Sequence, residues 1–206
     1  KAAEFNDDHD IKKQLWFRSA RILAHEMKDR ETAEEFYRRV LDLDPSDAQA
    51  RDAIEQLHRT SKDYEGLAGL LIDRLDSESE PESRARILRE VAELYEEKLA
   101  QPESALLAYT QALAEDAEDE SIKRAIERLA GEGQWDEVLV TLGEAIENTD
   151  RPQHAVALCV LVAHWYETYG GRADAALNLL NRALHIDPAH EPALVALCQL
   201  YEHAEA

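Results

Sequence analysis

Apolar and small residues recur along this chain at spacings of three and four. Cys159, Val162, Ala163 and Tyr166 form one such set, and Ala176, Leu180, Ala183 and Leu184 form the next. That spacing gathers side chains into one stripe of an α-helix. Gly170 and Gly171 separate the two sets, and Asp187-Pro188 closes the second, because proline cannot continue a helix interior. The same slots are filled earlier by Trp16, Ser19, Ala20 and Leu23 with Ala33, Tyr37, Val40, Leu41 and Pro45, and again by Leu88, Val91, Ala92 and Tyr95 with Ala105, Tyr109, Ala112 and Leu113. Between them run weaker versions: Ala50, Ala53, Ile54 and Leu57 with Leu67 and Leu71, and Ile122, Ala125, Ile126 and Leu129 with Val138, Leu142 and Ala145. The 7 glycines and 6 prolines fall between these stretches, and the alternation and Asn-Gly turns of strands are absent. The pattern predicts paired helices with short connections.

The pairs repeat. LDLDPSDAQARDAIEQL at 41–57, LAEDAEDESIKRAIERL at 113–129 and LHIDPAHEPALVALCQL at 184–200 align, with Asp44, Asp116 and Asp187 spaced 72 and 71 residues apart. Half that period is about 36, close to the length of a two-helix repeat. Small residues stand where two helices must approach closely, and large ones where a neighbouring hairpin leaves a hole. The arrangement resembles the tetratricopeptide repeat: a Trp or Leu, a small residue four later, an aromatic three beyond, then small, aromatic, small and Pro on the second helix. The resemblance runs from about Leu15 to Tyr201, with two departures. The even hairpins carry Ile where the family has Gly or Ala, and the odd hairpins have a link one residue longer.

The resemblance implies an all-α, right-handed superhelical solenoid of about five and a half hairpins, forming one domain. Hairpins are expected at about 12–45, 48–77, 84–116, 119–149 and 153–187, with a final helix near 190–204 acting as a cap or as half of a sixth repeat. One hairpin cannot bury its stripe alone, so such arrays stack in one dimension, with the first helices lining a concave surface. The implied function is protein–protein interaction through that surface, with no enzyme activity.

Charge narrows the partners. The 44 Asp and Glu against 23 Lys and Arg leave a formal net charge of −21, which disfavours nucleic acid and anionic membrane surfaces. Hydrophobic residues at 45% supply a core that disordered acidic chains lack. No apolar run approaches the roughly 20 residues needed to span a bilayer. Two cysteines without metal-type spacing predict neither a disulfide framework nor a zinc site, and with no signal sequence they point to the cytoplasm. A start without Met and a stop just after a helical stretch are expected of a segment from a longer protein. Arg over Lys, 16 to 7, with abundant Ala, leans towards a bacterial source.

Candidate contact residues are those on the first helices, off the stacking stripe: Phe17 and Arg21, Arg51 and Glu55, Arg89 and Glu93, Lys123 and Glu127, and Val160 and His164. Three successive helices thus set a cation four residues before an anion, a basic row beside an acidic row with Phe17 and Val160 as apolar ends. The plain alternative is an ordinary surface ion pair on each helix, worth about 0.2–0.5 kcal/mol. A carboxylate clamp of the kind some family members use for chaperone tails needs Asn on a first helix. Asn6, Asn148, Asn178 and Asn181 all lie elsewhere, so that class of partner is not expected.

His9 in NDDHD (6–10) and the scattered His25, His58, His154, His164, His185, His190 and His203 lack the spacing of a zinc site, and neither a phosphate-binding loop nor a nucleophile motif is present, so no cofactor is expected. Cys159, Trp16, Trp135 and Trp165 occupy packing slots and are expected in the core, while Cys198 is expected to be partly exposed. Two other roles fit the same sequence: the regulatory arm of a larger enzyme or signalling protein, and a scaffold that self-associates through the ends of its array.

Overall fold

The computed structural model describes residues 9–131 and 133–205. Among them the chain runs through α1 (His9–Ile22), α2 (Arg30–Leu43), α3 (Ala48–Ser61), α4 (Tyr64–Leu75), α5 (Pro81–Glu97), α6 (Pro102–Glu115), α7 (Glu120–Ala130), α8 (Trp135–Asn148), α9 (Pro152–Trp165), α10 (Ala173–Ile186) and α11 (Glu191–Glu205), with no strand among the described residues. The architecture is an all-α hairpin repeat, as the periodicity predicts. Its helix starts are written in the sequence. Asp29, Asp47 and Asp119 each accept a hydrogen bond from a first-turn amide that has no partner inside the helix. Pro81, Pro102 and Pro152 open α5, α6 and α9, where a missing N–H costs nothing.

The longer link inside the odd hairpins is absorbed at the ends of their first helices. α1 widens into a π turn at Leu23–Met27 and α9 into one at Tyr166–Gly170. At the end of α5 the Leu99 N–H donates to the Leu94 carbonyl at 3.1 Å and the Gln101 N–H to the Tyr95 carbonyl at 2.8 Å. Each link then turns through a left-handed residue at the same repeat position: Lys28 (φ 56°), Ala100 (φ 54°) and Gly171 (φ 58°). A Cβ is penalised in that region, so glycine suits it best. Ala100→Gly should therefore raise the unfolding free energy by about 0.5–1 kcal/mol, and Gly171→Ala should lower it by about 1 kcal/mol, read from urea denaturation midpoints.

Packing divides the chain into two units, one up to Leu70 and one from Leu71, the division falling within α4. In the first unit Ala20, Tyr37 and Ile54 are buried together, with Phe36, Leu57 and Leu70 packed around them. The His58 ring is buried there, its Nδ1 2.9 Å from Asp63 Oδ2. A Cβ on Gly66 would come within 2.5 Å of that ring, so glycine is what lets α4 start this close to α3.

In the second unit α5 packs on α6 and α9 on α10. The small residues of the pattern lie at these crossings: Ala92, Ala105, Ala112, Ala163, Ala176 and Ala183 are all buried. Ile54 and Ile126, at the slots where the family has Gly or Ala, are fully buried in their respective units. Trp165 is fully buried. Trp135 meets its edge at 5.2 Å between ring centroids and stacks on Tyr169 at 4.0 Å.

Candidate functional site

In the second unit the N-terminal turns of the first helices α5, α7 and α9, with the link between α6 and α7, enclose a cleft of about 660 Å³. Arg89 reaches into it from α5, its Nη1 donating to Asp119 Oδ2 at 3.2 Å. Asp119 is also the cap of α7, its Oδ1 accepting from the Ser121 N–H at 2.8 Å and the Ile122 N–H at 3.2 Å. Burial opposes ionisation of Asp119, but these hydrogen bonds and the Arg89 charge outweigh it and hold the carboxyl below its ordinary value. The helix start therefore positions the cation.

Neighbouring groups are tied in the same way. Arg84 Nε donates to Glu115 Oε1 at 2.6 Å, and Arg151 Nη2 to the Glu115 carbonyl at 2.9 Å. His154 Nε2 lies 2.7 Å from the Ala114 carbonyl, an acceptor, which places the ring proton on Nε2. Arg86 is exposed on the cleft wall and makes no ion pair among the described residues. Free donors (Arg86, the Gln153 amide) and free acceptors (Glu82, Glu118) thus face one space, a lining able to meet both the N–H and the C=O groups of an extended chain.

Of the candidate contact residues, Arg89 alone among the described residues lines this cleft. On the same unit's first helices, Glu93 is exposed with Oε1 3.9 Å from Arg89 Nε, and Lys123 pairs with Glu120 at 2.7 Å. Glu127 accepts from Trp165 Nε1 at 3.1 Å, Val160 is half-buried, and His164 is exposed. The four-residue cation–anion pairing is thus only partly realised: of Arg51–Glu55, Arg89–Glu93 and Lys123–Glu127, only the second is within ion-pair distance. In the first unit Phe17 sets its ring edge-on to Tyr37 at 5.2 Å and, with Arg21 and Lys13, lines a smaller cleft of about 230 Å³. Lys13 is held there by Asp44 and Asp47, both at 2.6 Å. Arg51 donates to the Pro45 carbonyl, and Glu55 accepts from Arg59 at 2.8 Å.

Arg86, Arg151, Gln153 and His154 line the cleft without being among the candidate contact residues, His154 figuring only as a scattered histidine. Arg86 lies one turn before Arg89 on α5, whereas Arg151, Gln153 and His154 lie at the start of α9, about two turns before Val160, and Arg86 shares its repeat position with Gln14 of the smaller cleft.

Among the described residues no group of three His, Cys, Asp or Glu could hold a metal ion, and no helix is long and apolar enough to cross a membrane. Residues 6–8 of NDDHD lie outside the described residues. Cys159 is buried, which pushes its thiol up to about 11, whereas Cys198 is exposed. Ellman's reagent at neutral pH should titrate Cys198 alone in the folded protein and both thiols in denaturant.

An all-α stack of helical hairpins whose first helices bear the open cleft defines a helical-repeat protein. Residues 13–47 match the family described as Tetratricopeptide repeat, and helical hairpins with small residues at corresponding slots recur through the later helices. Such repeats generally mediate protein–protein interaction. No curated protein matches the chain. Solved structures similar to it include YrrB, described as a TPR protein with an unusual peptide-binding site, at 23% identity, TM-score 0.38, covering 88% of this chain and 89% of that one. A tetratricopeptide repeat protein from Parabacteroides merdae matches at 16% identity, TM-score 0.40, covering 92% and 72%. TTC0263, a TPR protein of Thermus thermophilus, matches at 17% identity, TM-score 0.36, covering 92% and 98%.

Proposed function

We propose that the chain holds an extended segment of a partner protein on the first helices of its hairpins, the cleft of α5, α7 and α9 being the principal contact, and that it performs no chemistry of its own. The observation that carries this reading is the cleft's mixed lining, with unengaged donors and acceptors on a framework of tied charges. Arg84, Arg89 and Arg151 are each held by a backbone or carboxylate partner from a neighbouring element, so little ordering remains to be done when a ligand arrives. Within a chain of net charge −21, Arg86 and Arg89 make this a place where an acidic side chain of the partner is tolerated.

The test begins with a photo-crosslinking residue at Gln153, used to capture and identify the partner from an extract of the source organism, followed by titration of the purified partner. Arg86→Glu combined with Arg89→Glu should weaken binding on the order of tenfold, mostly through slower association, and the difference should shrink as salt rises. Arg38→Glu, on the second helix α2, should leave binding unchanged. A partner that binds the doubly reversed protein as well as the parent would remove the cleft as the site.

A further inference from the structure

The second helices of the second unit leave apolar side chains open to solvent. Ile72 near the end of α4 and Leu107 of α6 are each 42% exposed, and Val140 of α8 is 59% exposed. Two clefts flank Leu107. One, of about 210 Å³, is walled by Ile72, Leu75, Leu88 and Val91, and the other, of about 300 Å³, by Leu106, Val138 and Thr141. Leu107 borders both, so its side chain is the ridge between an apolar hollow and a mixed one, where Thr110 and Gln134 stand beside Leu106 and Val138. Glu103 and Glu137 stand on the rim of the second hollow, and neither makes an ion pair among the described residues. Val140 lies one turn from Glu137 on the same helix face.

Among the described residues, the charged side chains that line these hollows, Glu103 and Glu137, are both acidic. α6 (PESALLAYTQALAE) and α8 (WDEVLVTLGEAIEN) contain no Lys or Arg. We propose that this face docks a cationic amphipathic helix of a partner protein, which lays one aliphatic side chain into each hollow and sets Lys or Arg against Glu103 and Glu137. Packed helices lie about 8–10 Å apart, so a helix crossing the α6 ridge reaches both hollows with anchors seven residues apart, spaced by about 10.5 Å.

Other occupants fit less well. A second copy of this chain offers α11, whose Leu194, Val195 and Tyr201 are exposed, but α11 carries no Lys or Arg to meet the acidic rim. An anionic bilayer is repelled by the net charge. This surface is separate from the first-helix cleft and stands or falls without it.

The probe is a synthetic helical peptide of about eighteen residues, with leucines on one face at heptad spacing and lysines flanking them. Its controls are one of the same composition with scrambled leucines and one with glutamates for the lysines. Fluorescence anisotropy at low salt should show the first binding at least about tenfold more tightly than either control. Leu107→Asp should abolish the difference. So should Glu103→Lys combined with Glu137→Lys, which alters only exposed rim positions and keeps the test valid if the Leu107 variant folds poorly. Arg86→Glu with Arg89→Glu should leave peptide binding intact. Binding no tighter than that of the scrambled peptide, or unaffected by the Leu107 and rim variants, would overturn the proposal. So would a dimer of the chain that Leu107→Asp dissolves, since the occupant would then be a second copy.

Discussion

Trp165→Ala should lower the unfolding free energy by about 3–5 kcal/mol, because it deletes the largest fully buried side chain and leaves a void that its neighbours fill only in part. The indole meets Trp135 at 5.2 Å with the ring planes at 60°, an edge-to-face contact that adds to simple burial. Its Nε1 donates to Glu127 Oε1 at 3.1 Å, joining α9 to α7. Trp165→Phe keeps much of the volume and loses that hydrogen bond, so it should cost less. Urea denaturation followed by circular dichroism separates the two variants without relying on tryptophan emission. If Trp165→Ala unfolds at the parent's midpoint, α9 does not pack as described.

The second large effect is expected from adding volume at the close crossings. Ala92 is fully buried and Ala163 is 2% exposed. Ala92→Leu and Ala163→Leu should each cost about 1–3 kcal/mol, because the added methylenes force side chains off their rotamers or push two helices apart. The two sites lie in different hairpins of the same unit, so the double variant should lose roughly the sum of the single losses if no neighbour is shared. Ala48, exposed at the start of α3, serves as the control: Ala48→Leu adds the same atoms in open solvent and should be near neutral. Urea midpoints of the four variants check all of this in one series.

The helices were legible because each inner stripe is built from residue size as well as polarity. Ala92 and Ala163 read as crossings, and Asp29, Asp47 and Asp119 read as starts. The π turns were half legible. The extra residue in each odd link was visible, but a backbone has several ways to absorb one, and the choice depends on which carbonyls α1 and α9 can still satisfy at their ends. The candidate site was read less well. Sequence spacing pairs Lys123 with Glu127, yet the lysine bonds Glu120 and Glu127 is taken by an indole 38 residues away. Arg89 likewise bonds the Asp119 cap 30 residues on. Such partners meet only when a neighbouring hairpin is stacked in place, which no local period records. The exposed Leu107 was invisible for a different reason: beside Leu106 in a run of apolar residues, it looks like core until the packing shows which of the two faces inward.

The aromatic cluster of the second unit has an optical consequence. Trp135 and Trp165 sit close enough for their excited states to couple, and Tyr169 lies flat against one of them, whereas Trp16 belongs to the first unit without a second indole in that unit. The chain thus carries two distinguishable chromophores. A coupled indole pair should give a split near-ultraviolet dichroism band that vanishes when α8 and α9 part, while a variant keeping Trp16 alone reports the first unit by the wavelength of its emission. Loss of one signal before the other on heating would time the melting of each unit separately, in a single unlabelled protein.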